Sequence, residues 1–327
     1  MSEALRDGFG RKIEYLRISV TDRCNFRCLY CMPLTGVEWL PKTDILSYEE
    51  IAGVVRQLAP LGLRRIRLTG GEPTLRPELS RLIALLRAIP EIEDIALSTN
   101  GLRLAELAPT LRASGLDRVN MSADSLRVDR IRQIARRTID FDPIAAAAAA
   151  ERAGLSPIKL NVVVMRGIND DEIADFARLT FDHQWDVRFI ELMPVGEMRD
   201  VTWDHVVPME EVLHRLASVA SVHPATAPLR GNGPAAYFRF EGARGRIGLI
   251  TPMSHTYCES CNRVRLTADG RLRTCLFGDH EVDLRTPLRD GLPLEPFFRE
   301  ALAAKPREHQ LLQMRVGGLR ALSQVGG

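Results

Sequence analysis

The chain has 327 residues, about twice the length of a typical domain, and its apolar (45%) and charged (26%) fractions are those of a folded globular protein. Because 44 Lys and Arg residues nearly balance 42 Asp and Glu residues, the net charge of +2 does not favour bulk binding to nucleic acid or anionic membrane. The charged N-terminus resembles no signal peptide, and no segment has the roughly 20 apolar residues of a membrane span, so we expect a cytoplasmic protein.

The first predicted strand, residues 16–20, leads into a loop that holds three cysteines. Cys24, Cys28 and Cys31 follow a C-x3-C-x2-C spacing. In a chain without an export signal, such a cluster favours metal binding over disulfides. Each iron of a four-iron cluster needs one ligand besides its inorganic sulfides. Three cysteines therefore leave one iron open to a small molecule.

Strand and helix patterns then alternate to about residue 217. The strand candidates are residues 16–20, 65–68, 95–98, 119–122, 158–164 and 187–192. The helix candidates are residues 47–58, 77–88, 105–113, 143–153 and 170–182. The pattern predicts a parallel sheet, either open or curled into part of a barrel.

Several helix ends carry recognisable signals. Ser47 and Glu50 have the spacing of a capping box, and the prolines at 77 and 143 suit first-turn positions. Gly115 and Gly154 suit helix C-termini.

The predicted strands are apolar on one face and polar on the other. Arg17, Arg67, Ser98 and Lys159 alternate with apolar neighbours, and side chains alternate faces along a strand. A helix coat over the apolar face would leave these residues lining a positively charged interior. The alternative is a half-exposed sheet whose polar face meets solvent. Glu191 breaks the alternation in the sixth strand.

Between the second strand and its helix lies the turn TGGEP, residues 69–73, whose paired glycines let the backbone approach a ligand closely.

After residue 217 the pattern changes, which predicts two regions, 1–217 and 218–327. Residues 225–234 read as a loop, residues 237–240 and 246–250 as a hairpin, and the chain ends in a Leu-rich helix. Between hairpin and helix lie Cys258, Cys261 and Cys275. This second trio fits either an open iron–sulfur cluster or a zinc site completed by His255 or His280.

The cysteine spacing at 24–31 and the TGGEP turn resemble the radical S-adenosylmethionine (SAM) superfamily. Four further segments and the terminal Gly-Gly narrow the resemblance to the GTP 3',8-cyclases of molybdenum cofactor biosynthesis. These segments are LRISVTDRC (16–24), NVVVMRGIND (161–170), RFIELMPVG (188–196) and CNRVRL (261–266). Ala123 and Ser98 stand where this family commonly has leucine and threonine, and both should preserve function.

The resemblance implies an α/β fold, a partial (βα)6 TIM-like radical SAM barrel with a C-terminal extension carrying a second iron–sulfur cluster. It also implies a lyase that converts GTP to (8S)-3',8-cyclo-7,8-dihydroguanosine 5'-triphosphate. In that family a 5'-deoxyadenosyl radical made from SAM removes the ribose 3' hydrogen, and the sugar radical attacks guanine C8. The implied cofactors are two [4Fe-4S] clusters and SAM.

The resemblance further assigns residues and partners. Cys24, Cys28 and Cys31 would bind the SAM cluster, and Cys258, Cys261 and Cys275 the second. SAM contacts would come from Tyr30, Gly71, Ser122 and Met193. GTP contacts would come from Arg17, Arg67, Ser98, Lys159, Arg188, Arg263 and Arg265. The catalytic group would comprise Arg17, Arg263, Arg265, Gly326 and Gly327. An electron donor and a downstream cyclic pyranopterin monophosphate synthase are the implied protein partners, and a homodimer is left open.

Two other functions fit parts of the sequence. A radical SAM peptide maturase would usually carry more C-terminal cysteines and lacks the NRVR stretch at 262–265. An iron–sulfur electron carrier or sensor would normally ligate each cluster with four protein groups and has no use for an open iron.

Overall fold

The computed structural model describes residues 4–193, 203–226, 233–309 and 320–326. A single sheet of twelve strands forms its centre, in the order β12-β11-β10-β1-β2-β3-β4-β5-β6-β9-β8-β7. The strands are β1 Tyr15–Ser19, β2 Arg65–Thr69, β3 Asp94–Thr99, β4 Arg118–Ser122, β5 Ile158–Val164, β6 Asp186–Glu191, β7 Val222–Pro224, β8 Ala236–Phe240, β9 Arg246–Ile250, β10 Arg263–Leu266, β11 Arg271–Arg273 and β12 Glu281–Asp283.

Helices coat the apolar face of this sheet. They are α1 Tyr48–Leu58, α2 Leu79–Arg87, α3 Leu104–Ala113, α4 Val128–Ala135, α5 Pro143–Arg152, α6 Ile173–Asp182, α7 Met209–Ala217, α8 Arg285–Arg289 and α9 Glu295–Ala303. The short helix α10, Leu322–Val325, lies instead at the cavities on the inner face of the sheet. One hydrophobic core joins their buried faces to the strand residues that point the same way, such as Leu16, Ile66 and Leu97. Among the described residues, no helix is both long and apolar enough to cross a bilayer.

Strands β1 to β6 are parallel and in sequential order, which is the partial βα barrel expected from the alternation. The predicted strands agree with the observed ones to within one residue at each end. The capping box at Ser47 is present in full, and Asp142 caps the helix that begins at Pro143. Gly115 and Gly154 follow their helices with positive φ angles.

The predicted start of the second helix is wrong. Pro77 lies outside α2, which begins at Leu79, because Glu78 takes a left-handed conformation with φ of 55° that interrupts the chain before the helix. In the fifth predicted helix segment, residues 170–172 form a 3-10 turn ahead of α6. The pattern also missed α4, an eight-residue helix with only Ile131, Ile134 and Ala135 buried, which is too short for a clear periodicity.

The C-terminal strands continue the same sheet at both edges. The predicted hairpin forms between β8 and β9, and β9 pairs in parallel with β6. At the opposite edge β10 pairs in parallel with β1. The division into regions 1–217 and 218–327 stays a prediction, but strands from beyond residue 217 complete the sheet on either side of the barrel strands.

Candidate functional site

Three arginines stand side by side on the inner face of the sheet. Arg265 of β10, Arg17 of β1 and Arg67 of β2 are directly in register. Residues in register on parallel strands point to the same face. With Arg188 and Arg263 they line a cavity of about 200 Å³, here called the central cavity. The sheet therefore concentrates positive charge on one wall of this cavity.

Burial and mutual repulsion make this wall a place for an anion. Burial, together with the charges of Arg265 and Arg67, lowers the pKa of Arg17 well below its usual value. Burial lowers the pKa of Arg67 and of Arg265 to about 10, so these two side chains remain cationic near neutral pH. Guanidinium groups pair bidentately with phosphate oxygens, and a polyanion would relieve their repulsion.

The first cysteine trio lines a neighbouring cavity of about 160 Å³ with Gly70, Gly71 and Glu72. The main chain turns tightly between Cys28 and Cys31, whose amide donates to the Cys28 carbonyl at 2.9 Å. Burial raises the pKa of Cys24 to about 11 and of Cys31 to about 12, and it raises that of Cys28 as well. A cationic metal centre is what would hold these buried thiols as thiolates, and three free thiols on one wall fit an open cluster.

The glycine turn packs directly on the cysteine loop. A Cβ on Gly71 would lie 2.2 Å from the carbonyl oxygen of Arg23, and one on Gly70 would lie 2.4 Å from that of Thr21. Only glycine lets the chain leaving β2 pass this close to the residues before Cys24. This contact, in addition to the predicted approach to a ligand, explains the glycine pair.

A buried carboxylate that the sequence analysis missed ties the turn to the next strand. Glu72 accepts hydrogen bonds from the hydroxyls of Thr74 and Thr99 and from the amide of Asn100. Asn100 in turn donates to Asn25 within the cysteine loop at 2.8 Å. The carboxylate therefore fixes the cavity wall, and its place next to the glycine pair is the sequence signal that could have identified it.

Tyr30 and a second missed carboxylate join the two cavities. The Tyr30 hydroxyl donates to Asp124 at 2.7 Å, and the other oxygen of Asp124 accepts from the amide of Val163 at 2.9 Å. Burial raises the pKa of Asp124 to about 6. Ser98 and Ser122 line both cavities as well, so the two cavities are immediate neighbours. Asp124 comes two residues after Ser122, where the strand periodicity predicts another inward side chain.

The second cysteine trio lies at the other end of the central cavity. Cys258, Cys261 and Cys275 line a space of about 60 Å³ that shares Arg263 and Arg265 with the central cavity. Burial acts to raise the pKa of Cys261, but the nearby charges of Arg263 and Lys305 outweigh it and lower that pKa to about 7. The Lys305 ammonium is 3.6 Å from the Cys261 sulfur. This environment favours a thiolate, the form that binds metal.

Neither histidine predicted as a zinc ligand lines this space. The side chain of His255 is largely exposed and contacts Ser254, and His280 borders a different surface groove. His309 lies at the cysteine cavity instead, with its ring against Phe277. Among the described residues, no three Cys, His, Asp or Glu side chains surround a point that one metal ion could occupy.

Lys159 points inward as predicted, but it lies below the central cavity rather than on its wall. Only 2% of its surface is exposed, and its ammonium is 3.3 Å from both Asp186 and the Tyr237 hydroxyl. Asp186 also accepts from Arg246 at 2.9 Å. Burial and the charge of Arg188 lower the pKa of Lys159 to about 7 despite the carboxylate.

The end of the chain reaches the central cavity. Arg265 donates a short hydrogen bond to the carbonyl of Gly326, whose φ is 72° and whose Cα faces Thr69 of β2. Leu322 of α10 lines both larger cavities, and Met193 lines the central one. Gly327 lies outside the described residues.

Family models match most of the chain. Residues 18–180 match the radical SAM superfamily, and residues 185–311 match Molybdenum Cofactor Synthesis C. Curated relatives include a GTP 3',8-cyclase of Moorella thermoacetica, 49% identical over 99% of this chain and 100% of the relative. A GTP 3',8-cyclase of Heliobacterium modesticaldum is 46% identical over 98% of this chain and 99% of its own. The GTP 3',8-cyclase of Listeria welshimeri is 41% identical over 99% of this chain and 100% of its own.

The fold is similar to that of a solved structure, Streptococcus suis SuiB bound to S-adenosylmethionine. The TM-score is 0.59 at 13% identity, and the match covers 94% of this chain and 72% of SuiB. At this identity the likeness concerns the fold alone, and it agrees with the partial barrel and its C-terminal extension.

Proposed function

The chain belongs to the GTP 3',8-cyclase family of radical SAM enzymes, and from this premise we propose that it converts GTP to (8S)-3',8-cyclo-7,8-dihydroguanosine 5'-triphosphate for molybdenum cofactor biosynthesis. The observation that carries the proposal is the arginine row of the central cavity, which lies between two separate cysteine trios. A substrate with several phosphates fits that row, and a redox centre fits each end.

Cys24, Cys28 and Cys31 are proposed to hold a [4Fe-4S] cluster whose open iron binds SAM. When bound, the cluster would supply one electron that cleaves SAM to methionine and the 5'-deoxyadenosyl radical. That radical would take the ribose 3' hydrogen and C3' would attack guanine C8, and one further electron and a proton from the reductant and solvent would complete the dihydro product. Gly71 and Ser122 line the same cavity and would contact SAM. Tyr30, held by Asp124 between the two cavities, would position SAM toward the substrate.

Cys258, Cys261 and Cys275 are proposed to hold a second [4Fe-4S] cluster, in a space that shares Arg263 and Arg265 with the central cavity. Three thiols, one of them with a lowered pKa, suit an iron–sulfur cluster, and the distant placement of His255 and His280 weakens the zinc alternative. A four-iron cluster accepts its ligands on different irons, whereas zinc gathers four around one ion.

Arg17, Arg67 and Arg265 are proposed to bind the triphosphate, with Ser98, Arg188 and Arg263 completing the GTP contacts. A triphosphate brings about four negative charges, which would neutralise the crowded guanidinium groups. Met193 lines this cavity and would meet the SAM side of the substrate. Lys159 would act from beneath the cavity, as its ammonium is held by Asp186.

The chain terminus is proposed to take part in catalysis. Gly326 already accepts from Arg265, and a terminal Gly326-Gly327 has no side chain to compete with substrate in the cavity. The enclosure also excludes competing hydrogen donors from a reactive primary radical. An electron donor, a downstream cyclic pyranopterin monophosphate synthase and a cytoplasmic location complete the proposal.

The test is anaerobic incubation of the reconstituted protein with GTP, SAM and a chemical reductant, followed by mass spectrometry of the product. The cyclised triphosphate should form, together with 5'-deoxyadenosine and methionine. Omitting GTP or SAM is the control for background cleavage. If GTP is recovered unchanged, the proposed function is wrong. If a supplied peptide is modified, the peptide maturase alternative is favoured.

A further inference from the structure

The outer side of the first cysteine loop carries a group of four arginines, here called the arginine face: Arg27, Arg132, Arg136 and Arg137. Arg27 lies between Cys24 and Cys28, and the other three lie in or just after α4. The loop and the end of α4 are joined by the main chain, since the amides of Arg27 and Leu29 donate to the carbonyls of Ala135 and Ile134.

Three of the four side chains of the arginine face contact the backbone that carries the cluster ligands. Arg27 donates to the carbonyl of Cys24 at 2.8 Å, and Arg136 donates to that of Arg27 at 2.6 Å and to that of Met32. Arg137 donates to the carbonyl of Asn25 at 3.3 Å. The guanidinium groups of Arg27, Arg136 and Arg137 are therefore hydrogen-bonded directly to the main chain of the loop that would hold the proposed cluster.

Within the described part of the chain, no carboxylate forms an ion pair with any of the four arginines. Their side chains donate hydrogen bonds to main-chain carbonyls instead. On the other side of α4, in contrast, Arg130 pairs with Asp171 and Glu172.

An exposed apolar side chain adjoins the arginines. Leu34 is 60% exposed, the highest value among the large hydrophobic side chains of the described residues. It lies in the same loop as Met32 and Gly36, which contact Arg136 and Arg27 respectively. The Arg27 guanidinium also lies 5.3 Å from the ring of Trp39. The cysteine loop and the segment that follows it therefore carry both an exposed apolar side chain and Arg27, and arginine is enriched in protein interfaces.

Resting on the proposed function, we infer that the arginine face and Leu34 dock a small acidic one-electron carrier protein that reduces the cluster of Cys24, Cys28 and Cys31. The carrier is oxidised by one electron, which the cluster accepts, so no further co-reactant is needed. Acidic carriers match the uncompensated arginines in charge, and complementary charge raises the rate of encounter more than the strength of binding. Docking here brings the carrier to the loop that holds the acceptor.

The test measures cluster reduction by stopped flow in the reconstituted full-length enzyme, with reduced plant-type [2Fe-2S] ferredoxin as the probe. Arg132→Glu and Arg137→Glu are compared with the wild type, each also reduced by dithionite. The matched control is Arg152→Glu, the same charge change on an exposed arginine at the far end of α5. We expect the second-order rate with ferredoxin to fall about tenfold or more in the two face variants, with a weaker salt dependence. The dithionite rates and the Arg152→Glu rates should stay at the wild-type level.

Unchanged ferredoxin rates in Arg132→Glu would overturn the inference, as would an equal loss in Arg152→Glu. Equal losses with dithionite and ferredoxin would also overturn it, because the variants would then act on the cluster itself. Arg132→Glu decides the matter if Arg137→Glu fails to hold its cluster, since Arg132 donates to the carbonyl of Ile139 and not to the cysteine loop among the described residues. If the ferredoxin rate falls in the face variants as expected but the wild-type enzyme forms no cyclised GTP, the docking inference holds and the proposed function is refuted instead.

Discussion

The buried Lys159 leads to a quantitative prediction about pH and stability. Its pKa is lowered from 10.5 to about 7, mainly by burial. Between these values the unfolded chain holds a proton on Lys159 that the folded chain has lost. Raising the pH through this window therefore increases the free energy of unfolding, by about 1.4 kcal/mol per pH unit for one group.

The change that tests this is Lys159→Met, a substitution of similar length without the amine. Between pH 8 and pH 9.5 the wild type should gain about 2 kcal/mol of unfolding free energy that the variant lacks. Anaerobic urea unfolding at both pH values measures the difference, with the buried Trp185, next to Asp186, as the fluorescent reporter.

Lys42→Met, at an exposed lysine, is the control and should follow the wild type. If the stability of Lys159→Met runs parallel to that of the wild type across this range, the lysine is not held with a lowered pKa and the reasoning fails.

Three further outcomes follow from the site. Arg17→Ala and Arg265→Ala should each weaken GTP binding about 10- to 100-fold while the iron content stays unchanged. The expected effect is the loss of one charge-assisted contact of about 1.5–3 kcal/mol. Wild-type turnover in both variants would contradict the phosphate assignment. Gly71→Ala should lose the first cluster and keep the second, because a methyl group there meets the Arg23 carbonyl at 2.2 Å. Iron analysis with electron paramagnetic resonance would show whether the first cluster is lost or retained. Deleting residues 326–327 should abolish GTP turnover without unfolding the chain, because Arg265 loses its carbonyl partner. A truncated enzyme that stays active would contradict the proposed catalytic role of these residues.

Local periodicity was sufficient to predict the strands and the face on which Arg17, Arg67 and Ser98 lie. Alternation along a strand depends only on neighbouring residues, so it survives without knowledge of the fold. The pairing of β10 with β1 could not be derived in this way, because it joins segments nearly the whole chain apart. For the same reason the row that adds Arg265 to Arg17 and Arg67 became visible only in the structure.

The sequence pattern also could not predict how far an inward-pointing side chain lies from the cavity. The alternation of β5 correctly turned Lys159 inward, but its distance from the cavity depends on Asp186 and Tyr237, which come from two other strands. Glu72 and Asp124 were missed for a related reason. Each acts by holding main-chain amides of a neighbouring segment, and such partners are set by packing rather than by spacing.

The parallel pairing of β1 with β10 has a consequence for biosynthesis of the protein. β1 leaves the ribosome early, whereas its partner on that side emerges only after more than two thirds of the chain has been made. Throughout that interval the nascent polypeptide presents an unpaired strand edge, which is a hazard for aggregation. The arginine row cannot assemble before β10 has been made, so the positively charged wall of the central cavity forms late in the synthesis of the chain.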